Sequence, residues 1–298
     1  MKSNNLVSII MTCYNGESFL YEAVKSIINQ TYSNWELIFY DNQSIDKSEK
    51  IIKDFKDKRI KYFKSNKLVN LGTIRKLALD ECQGKFISFL DVDDYWTKFK
   101  LQKQIEKFEI NGNVDVLYSN YYKVENQEIN KVKKLLHRGN CQNQIIYSYV
   151  SGSILTAWLT LMIKKSAIDK LEYSFDENTH IASDFDLIIR LSSFCYFDYN
   201  DEFLGYYRVH QKNESKSRKK EIDELIYIIN KYKKNKLICS IFFYKNFAYK
   251  LYIKYFTYKK IKSSDIKNFS IIKKINIRLL YFIIKMTPKR VLNIFIKL

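Results

Sequence analysis

Asp91-Val92-Asp93-Asp94 places three carboxylates within four residues, directly after the apolar run Phe86 to Leu90. Like charges crowded at the end of a buried strand cost stability unless something binds among them. Oxygen ligands on a loop suit Mg²⁺ or Mn²⁺, ions that also neutralise a diphosphate. The plain alternative is a solvated turn whose Asp94 caps the next helix. Two other polar groups stand at comparable places, Tyr14-Asn15 after the run Leu6 to Cys13, and Asp41 after Trp35 to Tyr40. Farther on, Asp184 and Asp186 fall in the first turn of a helix-like stretch, where carboxylates also suit the helix dipole. Neither G-x-G-x-x-G after the first run nor GxxxxGK[ST] anywhere is present, which weakens dinucleotide-binding and P-loop readings.

The elements that must position these groups follow from hydrophobic periodicity. Residues 6 to 13 predict a strand and 17 to 29 a helix, through Phe19, Leu20, Val24, Ile27 and Ile28. The unit recurs as a strand at 35 to 40 and a helix at 48 to 55, then a strand at 60 to 63, a helix at 73 to 81 and a strand at 85 to 90. A helix at 101 to 110, a strand at 114 to 122, a loop or lobe at 125 to 144, a strand at 155 to 163 and a helix at 183 to 193 complete the pattern. Such alternation implies an α/β fold with a doubly wound, mostly parallel sheet, whose ligands bind beyond the carboxyl ends of the strands. Tyr14, Asp41 and the carboxylates after Leu90 all fall at such ends, so one crevice can collect them.

The 298 residues suffice for a substantial core, and 46% hydrophobic residues with a single Pro argue against disorder. Five scattered cysteines, none in a C-x-x-C pair, argue against a disulfide framework or a zinc site and suit a reducing compartment. No leader with a small-residue cleavage site and no stretch of ~20 apolar residues is evident, so a cytoplasmic chain is expected. The net charge of +19 is unevenly placed: residues 216 to 298 hold 22 Lys and Arg against four acids, whereas residues 1 to 215 are close to neutral. The expected organisation is a catalytic domain over 1–215 and a basic, aromatic-rich helical extension over 216–298.

Taken in order, the motifs resemble family 2 glycosyltransferases, inverting enzymes of GT-A fold, over residues 6 to about 215. Val7 to Asn15 resembles the opening strand, and the resemblance implies that Thr12, Tyr14 and Asn15 meet the nucleotide, Tyr14 by stacking on a base. Phe39 to Asp46 resembles the second-strand motif, in which Asp41 would accept a hydrogen bond from a uracil N–H; Asn42 and Gln43 depart from the usual Asp-Gly. Asn70 to Arg75 resembles the Gly-x-x-x-Arg helix start, making Arg75 a candidate contact of the nucleotide or its phosphates. Asp91 and Asp93 match the D-x-D, Asp91 near ribose and sugar hydroxyls and Asp93 on the metal, with Asp94 as an adjunct ligand. Ser183 to Arg190 resembles the later helix in which Asp184 would be the catalytic base, and Tyr206 to His210 the terminal segment that puts Arg208 and His210 beside the diphosphate.

The implied reaction is a single displacement with inversion, assisted by Mn²⁺ or Mg²⁺, from a nucleotide-sugar donor, expected to be a UDP-sugar, to a glycan or lipid-linked hydroxyl. The Gln-x-x-Arg-Trp motif of processive synthases is missing, so addition of one sugar is expected. A phosphatase of the haloacid-dehalogenase type also uses D-x-D, but Tyr95 stands where its Thr or Val belongs. A non-enzymatic membrane or nucleic-acid binder would explain the basic extension and leave the acids unexplained. For the extension itself two readings stay open, helices lying on an anionic membrane surface, which would make the protein peripheral on the inner face of the cell membrane, and helices packed on the catalytic domain with their lysines in water; nucleic acid is the weaker candidate.

Overall fold

The computed structural model describes residues 5–133 and 157–211, with the single positions 139, 213, 224, 227, 228 and 231. Most of the expected loop at 125–144, the first two residues of the expected strand at 155–163 and nearly all of the basic extension lie outside the described residues. The chain divides into two units, residues 1–142 with 155–216 and residues 143–154 with 217–298; the sheet belongs to the first.

Strands β1 (Val7–Cys13), β2 (Trp35–Asp41), β3 (Ile60–Lys64) and β4 (Phe86–Phe89) are joined through helices α1 (Leu20–Ile28), α2 (Ser48–Asp54) and α3 (Leu71–Asp80). β1, β2 and β4 are buried along nearly their whole length, as continuous apolar runs covered on both faces must be. β1 runs parallel to both β2 and β4, with Cys13 opposite Asp41 and Ile10 opposite Phe89, so three carboxyl ends open on one edge. α1 buries Leu20, Ala23, Val24 and Ile27, one helical face against Val7, Ile9 and Met11 of the strand.

Beyond β4 the chain adds β5 (Tyr95–Trp96), α4 (Lys100–Ile110), β6 (Val116–Glu125), β7 (Glu128–Val132), β8 (Met162–Lys164), α5 (Lys165–Ile168), α6 (Ser183–Ser192) and β9 (Phe197–Val209). The sheet order is β3-β2-β1-β4-β8-β6-β9-β5, with β7 on β6. β8 is antiparallel to both β4 and β6, β7 is antiparallel to β6 and β5 is antiparallel to β9, whereas β1 to β4 and again β6 with β9 pair in parallel, so the sheet as a whole is mixed.

Three departures from the sequence expectation have local causes. The polar stretch after β6 begins as a hairpin, because Asn126 and Gln127 both take positive φ (50° and 68°), the two-residue turn whose twist suits antiparallel strands. The strand expected at 155–163 is instead a 3-10 turn at Trp158–Thr160 followed by the three residues of β8; the Trp158 ring is drawn against Phe89, with centroids 4.0 Å apart. β9 is hidden in a polar sequence because much of it is half-exposed, whereas Leu204 and Gly205 are buried, and a Cβ on Gly205 would strike Leu159.

Candidate functional site

At the end of β1 the chain turns through Tyr14 and Asn15. Asn15 holds φ 53°, a left-handed conformation that asparagine tolerates through its short polar side chain. Its Oδ1 accepts the Ile45 N–H at 2.9 Å while its own N–H donates to Ser44 Oγ at 3.0 Å. Gly16 N–H donates to Ser48 Oγ, Glu17 N–H donates to the Asp46 carboxylate, and the Glu17 carboxylate accepts the Lys47 N–H across the same gap. The loops after β1 and β2 are thereby zipped together, leaving the Tyr14 ring 52% exposed on their rim and Thr12 half-buried beneath it.

Asp41 sits under this pair of loops, completely buried. One carboxylate oxygen accepts the Ser44 N–H at 2.8 Å and the other the Tyr62 hydroxyl at 3.0 Å. Its role visible in the structure is to shape the loop, and a base could reach it only where the Tyr62 hydroxyl gives way. Asn42 likewise binds inward, bridging to Val69 through both ends of its amide.

After β4 the three acids part company. Asp91 is partly exposed, its side chain 37% accessible, and pairs with Arg75 at 3.3 Å. Asp93 Oδ2 lies 3.0 Å from His210 Nε2 and accepts from Asn213 Nδ2 at 3.1 Å. Asn213 also donates to the Arg208 carbonyl and accepts the His210 N–H, so one amide fixes the turn that brings His210 to Asp93. Phe19 stacks on the His210 ring, with centroids 4.5 Å apart. Asp94 does not join this group. It is buried and accepts the Arg208 N–H at 2.9 Å, and burial, with the charges of Asp93 and Asp91, pushes its carboxyl well above the usual carboxylate range. Asp94 was expected as an adjunct to Asp93 on a metal; in the structure its buried carboxyl locks β9 to the β4–β5 turn. Arg208 pairs with Glu22 at 2.6 Å, its guanidinium lying over the Phe19 and Tyr95 rings.

A carboxylate, an imidazole and an amide meeting at Asp93 suit a hard divalent ion taken partly through substrate oxygens. Among the described residues no three His, Cys, Asp or Glu side chains gather as a complete cage. Such an ion would therefore draw its remaining ligands from a diphosphate and water, as Mg²⁺ commonly does.

Asp184 opens α6. Burial pushes its carboxyl up to about 6, opposed by the Arg75 charge and the Phe185 N–H and reinforced by Asp91. That exceeds the ordinary aspartate value expected from sequence, and a higher pKa makes a stronger proton acceptor while leaving roughly nine in ten molecules ionised at pH 7. Two residues on, Asp186 faces the other way, fully buried in an ion pair with Arg190 at 2.8 Å. Arg75 was expected at the nucleotide, yet its side chain is only 5% exposed. It donates to Ser183 Oγ and to Asp91 and lies over the Trp158 ring at 4.5 Å, beneath the site rather than in it. Asn213 and Trp158 carry no motif of their own, and their parts, like the contact of Ser183 with Arg75, are visible only in the folded chain.

The sequence profile described as Glycosyl transferase family 2 matches residues 8–171, more than half of the chain. The Escherichia coli UDP-Glc:alpha-D-GlcNAc-diphosphoundecaprenol beta-1,3-glucosyltransferase WfaP is 31% identical over 218 residues, spanning 73% of this chain and 82% of that one. Among solved structures, S. aureus TarS 1-349 in complex with UDP-GlcNAc superposes with TM-score 0.66 at 18% identity, over 96% of this chain and 82% of that one. The mannosyltransferase PcManGT from Pyrobaculum calidifontis, in complex with GDP-Man and Mn²⁺, gives TM-score 0.60 at 13% identity, over 81% and 72% of the two chains. The fold is of the GT-A type that these structures share.

Proposed function

Because this chain belongs to glycosyl transferase family 2, we propose that it moves one sugar, with inversion, from a nucleotide-diphosphate donor to a hydroxyl of a glycan or lipid-linked acceptor in surface polysaccharide or glycoconjugate synthesis. The observation that carries this reading is the meeting, beyond the carboxyl ends of parallel strands, of Asp93 with His210 and Asn213, and of Asp184 with Arg75 and Asp91. The phosphatase and pure-binding alternatives lose their ground with family membership. WfaP's UDP-Glc donor and diphosphoundecaprenol-linked acceptor favour a UDP-sugar and a lipid-linked acceptor here.

In this proposal the base stacks on the exposed Tyr14 ring, with Thr12 and Asn15 lining its side and Asp41 available to its N–H once the Tyr62 hydroxyl moves. Asp91 accepts hydrogen bonds from ribose and sugar hydroxyls. Asp93, with His210 beside it, would hold Mn²⁺ or Mg²⁺, which supplies charge stabilisation to the departing diphosphate. Arg208 adds positive charge on the same side, its remaining N–H donors free of the Glu22 contact turned to phosphate oxygens. Asp184 takes the proton from the acceptor hydroxyl as that oxygen attacks the anomeric carbon from the opposite face.

The test is a panel of UDP-glucose, UDP-N-acetylglucosamine and GDP-mannose, scored for nucleoside diphosphate release with Mn²⁺, with Mg²⁺ and with EDTA. At least one donor should turn over with metal and stop with EDTA. Asp93→Ala should remove that metal-dependent turnover while leaving the chain folded, and near-wild-type activity in this variant would sink the metal assignment.

A further inference from the structure

We infer that Arg75 is a positioning residue for the transfer, a buried strut that fixes the amino end of α6 against the donor-side carboxylate Asp91 and keeps Asp184 charged for its task. The inference rests on the reading of Asp184 as the base. Three contacts of the Arg75 side chain define the strut, and two backbone bonds of α3 support it. One guanidinium nitrogen donates to Ser183 Oγ, the residue immediately before Asp184. Another pairs with Asp91 Oδ1 at 3.3 Å. The guanidinium plane rests over Trp158 at 4.5 Å, and Trp158 in turn packs on Phe89 at the end of β4 and on Phe175 ahead of α6. The backbone of α3 is itself clamped to the segment before α6, since Gly72 N–H donates to the Thr179 carbonyl at 3.0 Å and Leu71 N–H to His180 Nδ1 at 2.9 Å. Arg75 therefore joins three segments, and a lysine could not reproduce the fork that reaches two of them at once.

Burying a guanidinium is costly unless every contact is used, so its place beneath the site calls for a reason. The charges facing Asp184 supply one. From α3 comes the positive Arg75; from the end of β4 comes the negative Asp91; on its own helix Asp186 is already neutralised by Arg190. Burial raises the Asp184 carboxyl and Asp91 raises it further, and Arg75 is the largest influence pulling it down. Without that charge a larger share of the carboxyl would be protonated at neutral pH and unable to accept a proton. The same contact links the two halves of the reaction, because a donor sugar that engages Asp91 alters one end of a strut whose other end holds the base helix.

The experiment reads the protonation of Asp184 directly and does not need the donor. Carboxyl ¹³C resonances of the full chain are titrated, with Asp184 identified by its disappearance in Asp184→Asn, and nucleoside diphosphate release from the most active donor of the panel is followed over the same pH range. The wild-type midpoint should lie near 6. In Arg75→Gln it should move up by about one pH unit or more, the effect of losing a nearby opposite charge, and the acid limb of kcat should move with it, so that kcat at pH 7 falls about twofold for a shift of about one unit and roughly tenfold for a shift of about two, and largely returns by about pH 9. Arg75→Lys should keep the midpoint within a few tenths of a unit while lowering kcat, because charge is retained and the fork is lost. Ser183→Ala should shift the midpoint in the same direction as Arg75→Gln by less, and it decides the matter if Arg75→Gln does not fold. An unmoved midpoint with a raised donor KM would overturn the inference and return Arg75 to the nucleotide. If Asp184→Asn keeps wild-type turnover, the base assignment itself is lost, a result distinguishable from the first.

Discussion

Two aspartates two residues apart in the first turn of α6 are chemically identical and physically opposite. Asp186 is sealed in its pair with Arg190, whose other nitrogens hold the Tyr173 and Ser174 carbonyls. Removing one member of such a buried pair strands the other, at a cost of about 3–5 kcal/mol. Asp186→Asn should accordingly lower Tm sharply while leaving the pH profile of whatever activity survives unchanged. Asp184 carries the reverse sign. Its carboxyl stands at about 6 in the folded chain, above the ordinary aspartate value, so the folded state binds its proton more tightly than the unfolded one. The stabilisation this gives is present at low pH and is lost as pH rises through 6, which makes the charged group a cost near pH 7. Asp184→Asn should therefore raise Tm slightly while cutting turnover by roughly two to four orders of magnitude, and the wild-type acid limb should fall away below pH 6. A drop in donor affinity without a drop in kcat would remove Asp184 from the base position. Asp93 and Asp184 were legible in the sequence as residues at element ends. The divergence of Asp94 from Asp93 was not, because it depends on a backbone N–H from Arg208, 114 residues away.

At the scale of elements the first half of the fold could be read almost to the residue. β1, β2 and β4 are buried on both faces and so appear as unbroken apolar runs, and the helices between them show one apolar stripe each. The second half resisted because its strands obey tertiary partners. β9 pairs with β6 through two register shifts, and β8 is three residues long, too short for any periodicity to show. What the sequence could not convey is how closely α3 approaches the segment before α6. A Cβ on Gly72 would lie 2.7 Å from the Thr179 carbonyl oxygen and closer still to that of Asp176, both backbone atoms that cannot swing aside. Gly72→Ala should cost about 1–3 kcal/mol, the usual range for overpacking a tight contact, and should lower kcat by displacing the Arg75 strut. An unchanged Tm would mean that the 176–179 segment yields easily, and that the closeness of α3 to it is not what holds the base helix in place.

The whole molecule pairs a nearly neutral sheet domain with an extension of opposite character. Residues 216 to 298 hold 22 lysines and arginines against Glu221, Asp223, Glu224 and Asp265, interleaved with Ile, Phe and Tyr. Among the described residues no helix is long and apolar enough to cross a membrane. A chain of this composition gains roughly 1 kcal/mol per basic residue held near an anionic lipid surface, a field that fades within a Debye length of about 10 Å at 0.1 M salt. Its aromatic and aliphatic residues can bury into the interface without spanning it. Since the proposed acceptor is lipid-linked, binding at the surface would also confine the search for it to two dimensions. The competing arrangement packs these residues on the protein and leaves their lysines in water. The two separate cleanly by co-sedimentation of the full chain with liposomes of neutral and of anionic lipid at low and high salt. Membrane association predicts binding to the anionic vesicles, weakened severalfold or more at high salt, and its loss in a chain ending at Ser215. Equal partitioning of the two chains would remove the extension as a membrane element, and failure of the shorter chain to fold would assign those residues to the stability of the protein itself.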